Sequence, residues 1–278
     1  MIIKKENSII KKTGDLPGKT LAVFAGVHGN EKAGVFALQK ILKEIKITKG
    51  VVYFVFANLQ AIEKDARCIE KNLNRCFLKG NTGVTYEDKR AQELMPVLDE
   101  CDVLLDLHAS PAKKTIPFII CEKNSLDIIK NFDFEIVSFG WNTIEPGATD
   151  GYMNEQGKIG ICLECGLLHE SENKANLAEK SVYQFLQYFD AIDSEIPFSN
   201  YKQKVLQVKK AIKKKSEDFK FVRSFDDFEK LEEDELIASD GNEKYYAKKN
   251  ECILFANPKN KKIGDEVFII GEFIDKKI

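Results

Sequence analysis

The chain has 278 residues and a formal net charge of -2, with 44% hydrophobic and 31% charged residues. This balance excludes a disordered chain, and 17 glycines and 7 prolines exclude a collagen-like or low-complexity protein. A pI near 6.1 gives no reason to expect nucleic acid or an anionic membrane as a partner. The length allows one large domain, or a large and a small one, with a sizeable core.

The N-terminal segment MIIKKENSIIKK has no sustained apolar stretch of the kind a secretory signal requires. No stretch of the chain approaches the roughly 18 apolar residues of a membrane span. The seven cysteines are an odd number, and without an export signal they indicate reduced thiols, so we predict a cytoplasmic protein. Cys162 and Cys165 form a C-x-x-C motif within an apolar strand-like run. Strand geometry would turn them to opposite faces, so we expect neither a redox pair nor a zinc knuckle.

Strand-like apolar runs alternate with helical patterns through the first two thirds of the chain. Val35, Leu38 and Ile41 recur at helical spacing, and the run GVVYFVFA is continuous, as in a strand covered on both faces. The predicted elements are a strand at 19–27, a helix at 31–47, a strand at 50–57, a helix at 87–100, strands at 101–107, 116–121 and 159–165, and a helix at about 173–190. This order predicts an α/β fold with a mixed, largely parallel sheet flanked by helices.

The pattern changes near residue 195, where short strand-like pieces and turns replace the alternation. We predict two domains, a catalytic domain over 1–200 and a small β-rich C-terminal domain over 201–278. The basic segment 202–215 includes Lys209 and Lys215 and could contact phosphate. A solvated strand or linker face is the favoured interpretation, because the acidic run that follows would repel a polyanion. We therefore predict no nucleic-acid partner.

Histidine is scarce, with three in the whole chain. His28 and His108 each end a predicted strand, where open α/β sheets bind ligands. Glu31 follows His28 by three residues, so both side chains can turn toward one point. Two histidines and one carboxylate leave a position open on a tetrahedral zinc, as catalytic sites do. Surface histidines beside a glutamate at a helix start fit these residues too. His169 is expected to be a surface residue at a helix start.

Glu164 lies within the predicted strand at 159–165. Alternation places Ile161 and Leu163 on one face and Cys162 and Glu164 on the other. A carboxylate in an apolar strand is costly unless it is paired, and here it faces a side of small residues where a ligand could fit. Burial would raise its pKa, which suits a general acid/base. A structural ion pair is the alternative.

A third cluster joins Arg67 to the segment NLNR, which contains Asn72, Asn74 and Arg75. Arginines and asparagines in a loop suggest recognition of a carboxylate or stabilisation of an oxyanion. Surface salt bridges would explain the same residues taken alone.

In order and spacing, these motifs resemble the succinylglutamate desuccinylase/aspartoacylase family, a branch of the zinc carboxypeptidase-like fold. The matching segments are GVHGNE (26–31), Asn58, Arg67, NLNR (72–75), DLH (106–108) and GICLECG (160–166). The resemblance covers nearly the whole chain, and the β-rich tail is similar to that family's C-terminal domain.

The resemblance implies a role for each matching residue. His28, Glu31 and His108 would bind one Zn²⁺ per chain. Glu164 would take a proton from the attacking water and pass it to the leaving amine, while Arg67 would polarise the scissile carbonyl and steady the oxyanion. The substrate carboxylate would be held by Asn74 and Arg75, and Tyr245 would close over it.

Two positions depart from the family pattern. Asn72 stands where the family usually has Asp, which orients a zinc-binding histidine; its amide oxygen can accept the same hydrogen bond but lacks the charge. Asn154 stands where aspartoacylase has an additional arginine for a second substrate carboxylate. N-acetylaspartate is therefore not assigned as the substrate.

We thus predict a zinc-dependent hydrolase that cleaves the amide bond of a small N-acyl amino acid or related carboxylate. Its partner would be that small substrate, with no membrane partner, and a homo-oligomer is compatible with the sequence. Two alternatives stay open: a metallocarboxypeptidase acting on peptides or cell-wall fragments, and a non-catalytic binding protein that kept the fold.

Overall fold

A computed structural model describes residues 3, 5–110, 114–167, 171–199, 202–257 and 261–275. His169 lies outside these ranges. In the description that follows, "the tail" means residues 202–275. The helices are α1 (Lys32–Ile41), α2 (Leu59–Glu63), α3 (Tyr86–Glu100), α4 (Leu126–Ile129), α5 (Thr149–Glu155) and α6 (Ser171–Tyr188). Among the helices in these ranges, none combines the length and apolar character that crossing a membrane requires.

Most strands join a single large sheet. Before the tail they are β1 (Ile9–Thr13), β2 (Leu16–Ala25), β3 (Lys49–Phe56), β4 (Val103–Ser110), β5 (Phe118–Cys121), β6 (Ile136–Phe139) and β7 (Ile159–Leu167). In the tail they are β8 (Lys204–Lys213), β9 (Lys220–Phe221), β10 (Glu229–Lys230), β11 (Leu236–Asp240), β12 (Glu243–Tyr246), β13 (Glu251–Leu254) and β14 (Glu266–Ile274).

Within the described residues the large sheet has eleven strands in the order β1-β3-β2-β4-β7-β5-β6-β8-β14-β13-β10. The strands β3, β2, β4 and β7 are parallel neighbours, whereas β5 runs antiparallel to β7. Strands β9, β11 and β12 form a separate small sheet. The predicted fold, a mixed and largely parallel sheet between helices with a β-rich C-terminal region, is confirmed. The sheet continues from β6 into β8, so the predicted division into two domains stays a prediction.

Alternation along the strands divides the core between the two faces of the sheet. In β2, Leu21 and Val23 face the cluster that includes the apolar sides of α1 and α6, whereas Ala22 and Phe24 face the cluster beneath α3. The helix predicted at 31–47 ends earlier, at Ile41. The backbone turns there, yet Ile45 is buried in the same cluster. The helical spacing of apolar residues therefore continues beyond the end of the helix. The basic segment 202–215 contains β8, an interior strand of the sheet.

Candidate active site

The site lies where three neighbouring parallel strands end. His28 follows β2, His108 lies near the end of β4, and Glu164 lies on β7. In the register of β4 and β7, His108 is directly paired with Glu164. The sheet order β2-β4-β7 therefore brings together residues that are far apart in sequence.

His28, Glu31 and His108 converge on one point and are all buried. The His28 Nδ1 atom lies 2.7 Å from Glu31 Oε1, and the His108 Nδ1 atom lies 2.9 Å from Glu31 Oε2. The backbone amide of Ala109 donates to Glu31 Oε2 over 3.0 Å and fixes the carboxylate. All three potential ligand atoms lie within 4.8 Å of one another. This set of two imidazole nitrogens and one carboxylate fits a divalent metal with an open coordination position.

Each histidine is oriented through its other ring nitrogen. His28 Nε2 lies 2.9 Å from Asn72 Oδ1, the contact expected of the residue that replaces the family's Asp. His108 Nε2 lies 3.0 Å from Asp106 Oδ2, and the Thr149 hydroxyl donates to that same oxygen. These contacts turn both Nδ1 atoms toward Glu31. Metal-binding histidines are commonly oriented in this way, by a hydrogen bond to the ring nitrogen that does not bind the metal.

Burial, and then the charge of Arg67, lower the pKa of His28 to about 4. The imidazole is therefore neutral at physiological pH, the form that offers a lone pair to a metal. Its buried Nδ1 atom faces Glu31 Oε1 without the geometry of a hydrogen bond, which leaves the nitrogen available as a ligand.

Glu164 is buried beside this group, and its Oε2 atom has no hydrogen-bond partner among the described atoms. Burial and the nearby charge of Glu31 raise the pKa of Glu164 to about 8. An unpartnered buried carboxylate with a raised pKa is the property expected of a general acid/base. The predicted alternation of β7 is confirmed. Cys162 and Glu164 line the cleft, a cavity of about 1610 Å³, while Ile161 and Leu163 lie in the core on the other face.

Arg67 approaches the site from the loop before the short 3-10 helix at Leu73–Arg75. Its Nη1 atom lies 3.2 Å from Glu31 Oε1, and its side chain is 41% exposed. The Arg67 carbonyl accepts from the Gly29 amide over 3.3 Å. Gly29 lies in the loop between β2 and α1, and a side chain there would collide with the Ala61 backbone of α2 at 2.0 Å, so this position requires glycine.

The buried carboxylate of Glu87, at the start of α3, holds the same loop. Its Oε1 accepts from the Ile69 amide at 2.7 Å, and its Oε2 accepts from the amides of Glu70 and Lys71, each at 3.2 Å. Asn58 donates to Oε1 from the other side at 3.3 Å. These bonds fix the segment between Arg67 and the NLNR motif.

Asn74 and Arg75 line the cleft, but both are already engaged within the protein. Asn74 Oδ1 accepts from the Thr149 amide over 3.1 Å. Arg75 forms a close ion pair with Glu145, and its Nη2 atom lies 3.9 Å from Glu266 of the tail. A substrate carboxylate would therefore share the Arg75 guanidinium with Glu145.

Tyr245 is placed apart from the other predicted residues. It lies on β12, its ring packs against Phe268 in the tail's apolar cluster at a centroid distance of 6.0 Å, and it does not line the cleft. Its predicted contact with substrate stays a prediction.

The tail contributes a large part of the lining of the cleft, including Phe221, Phe255 and Lys261.

Several residues that hold the site together have no predicted role in the sequence analysis. Asp106 carries a signal that could have found it, because it precedes His108 by two residues on the same face of the strand. Glu87 and Glu145 carry none, since their contacts join distant segments.

The chain is similar to known proteins along most of its length. Residues 17–192 match the model of the "Succinylglutamate desuccinylase/Aspartoacylase catalytic domain", and residues 202–262 match the "AstE/AspA barrel-sandwich hybrid domain". A probable aspartoacylase of Nostoc sp. is 27% identical over 190 residues, which cover 61% of this chain and 64% of that protein. An aspartoacylase of Xenopus tropicalis is 32% identical over 133 residues, covering 42% of each. The matched stretch is thus less than two thirds of either relative.

Among solved structures, a succinylglutamate desuccinylase from Vibrio cholerae superposes with a TM-score of 0.81. The superposition covers 98% of this chain and 88% of that one, at 20% sequence identity. At this identity the likeness supports the fold.

Proposed function

The chain belongs to the succinylglutamate desuccinylase/aspartoacylase family, and from this premise we propose that it is a zinc-dependent amide hydrolase. Its substrate would be a small N-acyl amino acid or a related carboxylate. The observation that carries the proposal is the convergence of His28, Glu31 and His108 beside Glu164, whose buried Oε2 has no partner among the described atoms.

The donor set fits zinc, which prefers imidazole nitrogen and carboxylate oxygen in a four-coordinate site. When bound, zinc would lower the pKa of a coordinated water to about 7 and supply a nucleophile at neutral pH. Glu164 would accept a proton from the attacking water and deliver it to the leaving amine. Its raised pKa suits both transfers, because the group must gain and lose a proton near neutrality.

Arg67 would polarise the scissile carbonyl and stabilise the oxyanion that develops on it. Its guanidinium lies 3.2 Å from Glu31 and is 41% exposed, so it is accessible to a substrate in the cleft. Asn74 and Arg75 would hold the substrate carboxylate at the floor of the cleft. A contact from Tyr245 would require its ring to leave the apolar cluster of the tail when substrate binds.

Metal analysis of protein purified without chelator tests the first half of the proposal. We expect close to one equivalent of zinc per chain. A content below about a tenth of an equivalent, with no rebinding from micromolar Zn²⁺, would refute zinc binding.

A panel of N-acetyl, N-succinyl and N-formyl amino acids, assayed for released amine, tests the second half. Glu164→Gln should lower kcat by at least about 100-fold, because it removes the proton acceptor. Exposed Glu63→Gln is the matched control.

The two alternatives predict different results. A metallocarboxypeptidase would cleave peptides better than N-acyl amino acids; the lining of the cleft by tail residues favours the smaller substrate. A non-catalytic binding protein would keep its function in Glu164→Ala, whereas the hydrolase would lose turnover.

A further inference from the structure

One side of the cleft is apolar, although many of the residues that line the cleft are charged. Four residues form this apolar wall: Ile120, Trp141, Cys162 and Phe255. All four line the cleft and belong to, or pack against, one apolar cluster. The Cys162 thiol lies within 4.8 Å of the potential ligand atoms of His108 and Glu164. The wall therefore begins beside the atoms that would carry out the reaction.

The polar atoms of this wall are turned away from the cleft. The Trp141 indole donates to the Ser138 hydroxyl over 2.9 Å, within the core. Asn154, which replaces the family's arginine for a second carboxylate, accepts from the Gly160 amide over 3.0 Å and does not line the cleft. The wall thus presents carbon and sulfur to whatever binds there.

The wall offers nothing to neutralise a second carboxylate. The carboxylate of Glu164 lies beside the wall, since one of its oxygens and the Cys162 thiol are within 4.8 Å of each other. A carboxylate placed against the wall would lose its hydration to apolar surface, and none of the four wall residues offers it a cationic partner.

The tail supplies Phe255 to the wall and holds it under strain. Its backbone has a φ of 54°, a left-handed conformation that phenylalanine rarely adopts. Its amide donates to Asp227 Oδ1 over 2.7 Å, and Asp227 Oδ2 accepts from the Ser110 hydroxyl over 2.9 Å. Its ring lies 5.8 Å from Trp141 and 5.9 Å from Phe118, between centroids. A buried carboxylate therefore joins the end of β4 to the backbone that places this ring.

We propose that the apolar wall is a substrate subsite for an aliphatic or aromatic group next to the scissile amide. The favoured substrates are then N-acyl amino acids that carry such a group rather than a second carboxylate. The inference rests on the proposed hydrolase function and adds the substrate class. Trp141 and Phe255 determine specificity, and Asp227 is a positioning residue that sets the Phe255 backbone.

Kinetics with paired substrates test the subsite and locate the group. One pair, N-acetylphenylalanine and N-acetylaspartate, varies the side chain; the other, N-benzoylglycine and N-succinylglycine, varies the acyl group. We expect kcat/KM to favour the apolar member of at least one pair by about tenfold or more. Phe255→Ala should reduce that preference, Phe255→Leu should retain most of it, and exposed Phe198→Ala should not change it. Asp227→Asn should reduce the preference in the way Phe255→Ala does, with metal content unchanged.

A preference for the dicarboxylate in both pairs would overturn the subsite, as would an equal loss for all four substrates in Phe255→Ala.

Binding gives a second readout that needs no turnover. Trp141 is the only tryptophan in the sequence, so the intrinsic emission reports on the wall itself. In the metal-loaded Glu164→Gln protein, the apolar member of the favoured pair should shift this emission saturably and at lower concentration than its dicarboxylate partner. Absence of any shift, or tighter binding of the dicarboxylates, would overturn the subsite. Saturable apolar binding by a wild-type protein that hydrolyses none of the four substrates would instead refute the hydrolase and leave the subsite standing.

Discussion

Replacing Glu87 by glutamine provides the sharpest test of how the loop that carries Arg67 is held. The carboxylate accepts two hydrogen bonds at each oxygen: from the amide of Ile69 and the side chain of Asn58 at one, and from the amides of Glu70 and Lys71 at the other. Whichever way the new amide is oriented, its NH₂ group faces two N–H donors. Two bonds are lost, and the donors that made them are left unpaired.

Each such donor costs about 1–3 kcal/mol, so Glu87→Gln should lower the free energy of unfolding by about 2–6 kcal/mol. The effect should be local as well as global, with faster hydrogen exchange at the amides of residues 69–71. Urea denaturation gives the first quantity, and exchange followed by mass spectrometry or NMR gives the second. The exposed Glu63→Gln serves as control. A loss below about 0.5 kcal/mol, or unchanged exchange at residues 69–71, would refute the reasoning.

The other predictions concern the residues around the proposed metal ligands. Asp106→Asn should weaken zinc binding by about 10–100-fold, because it removes the carboxylate that orients His108 and raises its basicity; titration against a competing chelator measures this, and an unchanged Kd would contradict it. Asn72→Asp should strengthen zinc binding through the same effect on His28, and weaker binding in the same titration would be the contrary result. In the metal-free protein the raised pKa of Glu164, about 8, means that its folded form is preferentially protonated. Its contribution to stability is complete below the ordinary carboxyl pKa of about 4.5 and is lost as the pH rises through 8. Wild type should therefore lose more stability than Glu164→Gln between those pH values in paired denaturation curves. Equal pH dependence of stability in metal-free wild type and Glu164→Gln would contradict this prediction. Bound zinc should lower the pKa of Glu164 through its positive charge.

Much of the fold and the centre of the site could be predicted because both depend on local pattern. Apolar runs indicate the strands, and strand ends in a parallel sheet share an edge, so the sequence predicts that His28 and His108 lie together. The face of β7 that carries Glu164 followed from alternation alone.

The rest depended on contacts that sequence does not encode locally. The ion pair between Arg75 and Glu145 joins separate loops, and Glu145 carries no motif. Phe255 reaches the cleft through a left-handed backbone, a conformation that its residue type does not suggest. Tyr245 was assigned from resemblance, and the structure places it in the tail's apolar cluster.

The continuity of the large sheet into the tail has a consequence for how the protein can be divided. β6 pairs with β8, so a chain shortened before residue 204 would expose β6 as a bare edge strand. The residues uncovered there, Ile136, Val137 and Phe139, are all buried in the whole protein. Apolar unpaired edges recruit other chains and aggregate. The tail therefore protects the edge of the large sheet, and a shortened chain would form aggregates rather than a smaller folded protein.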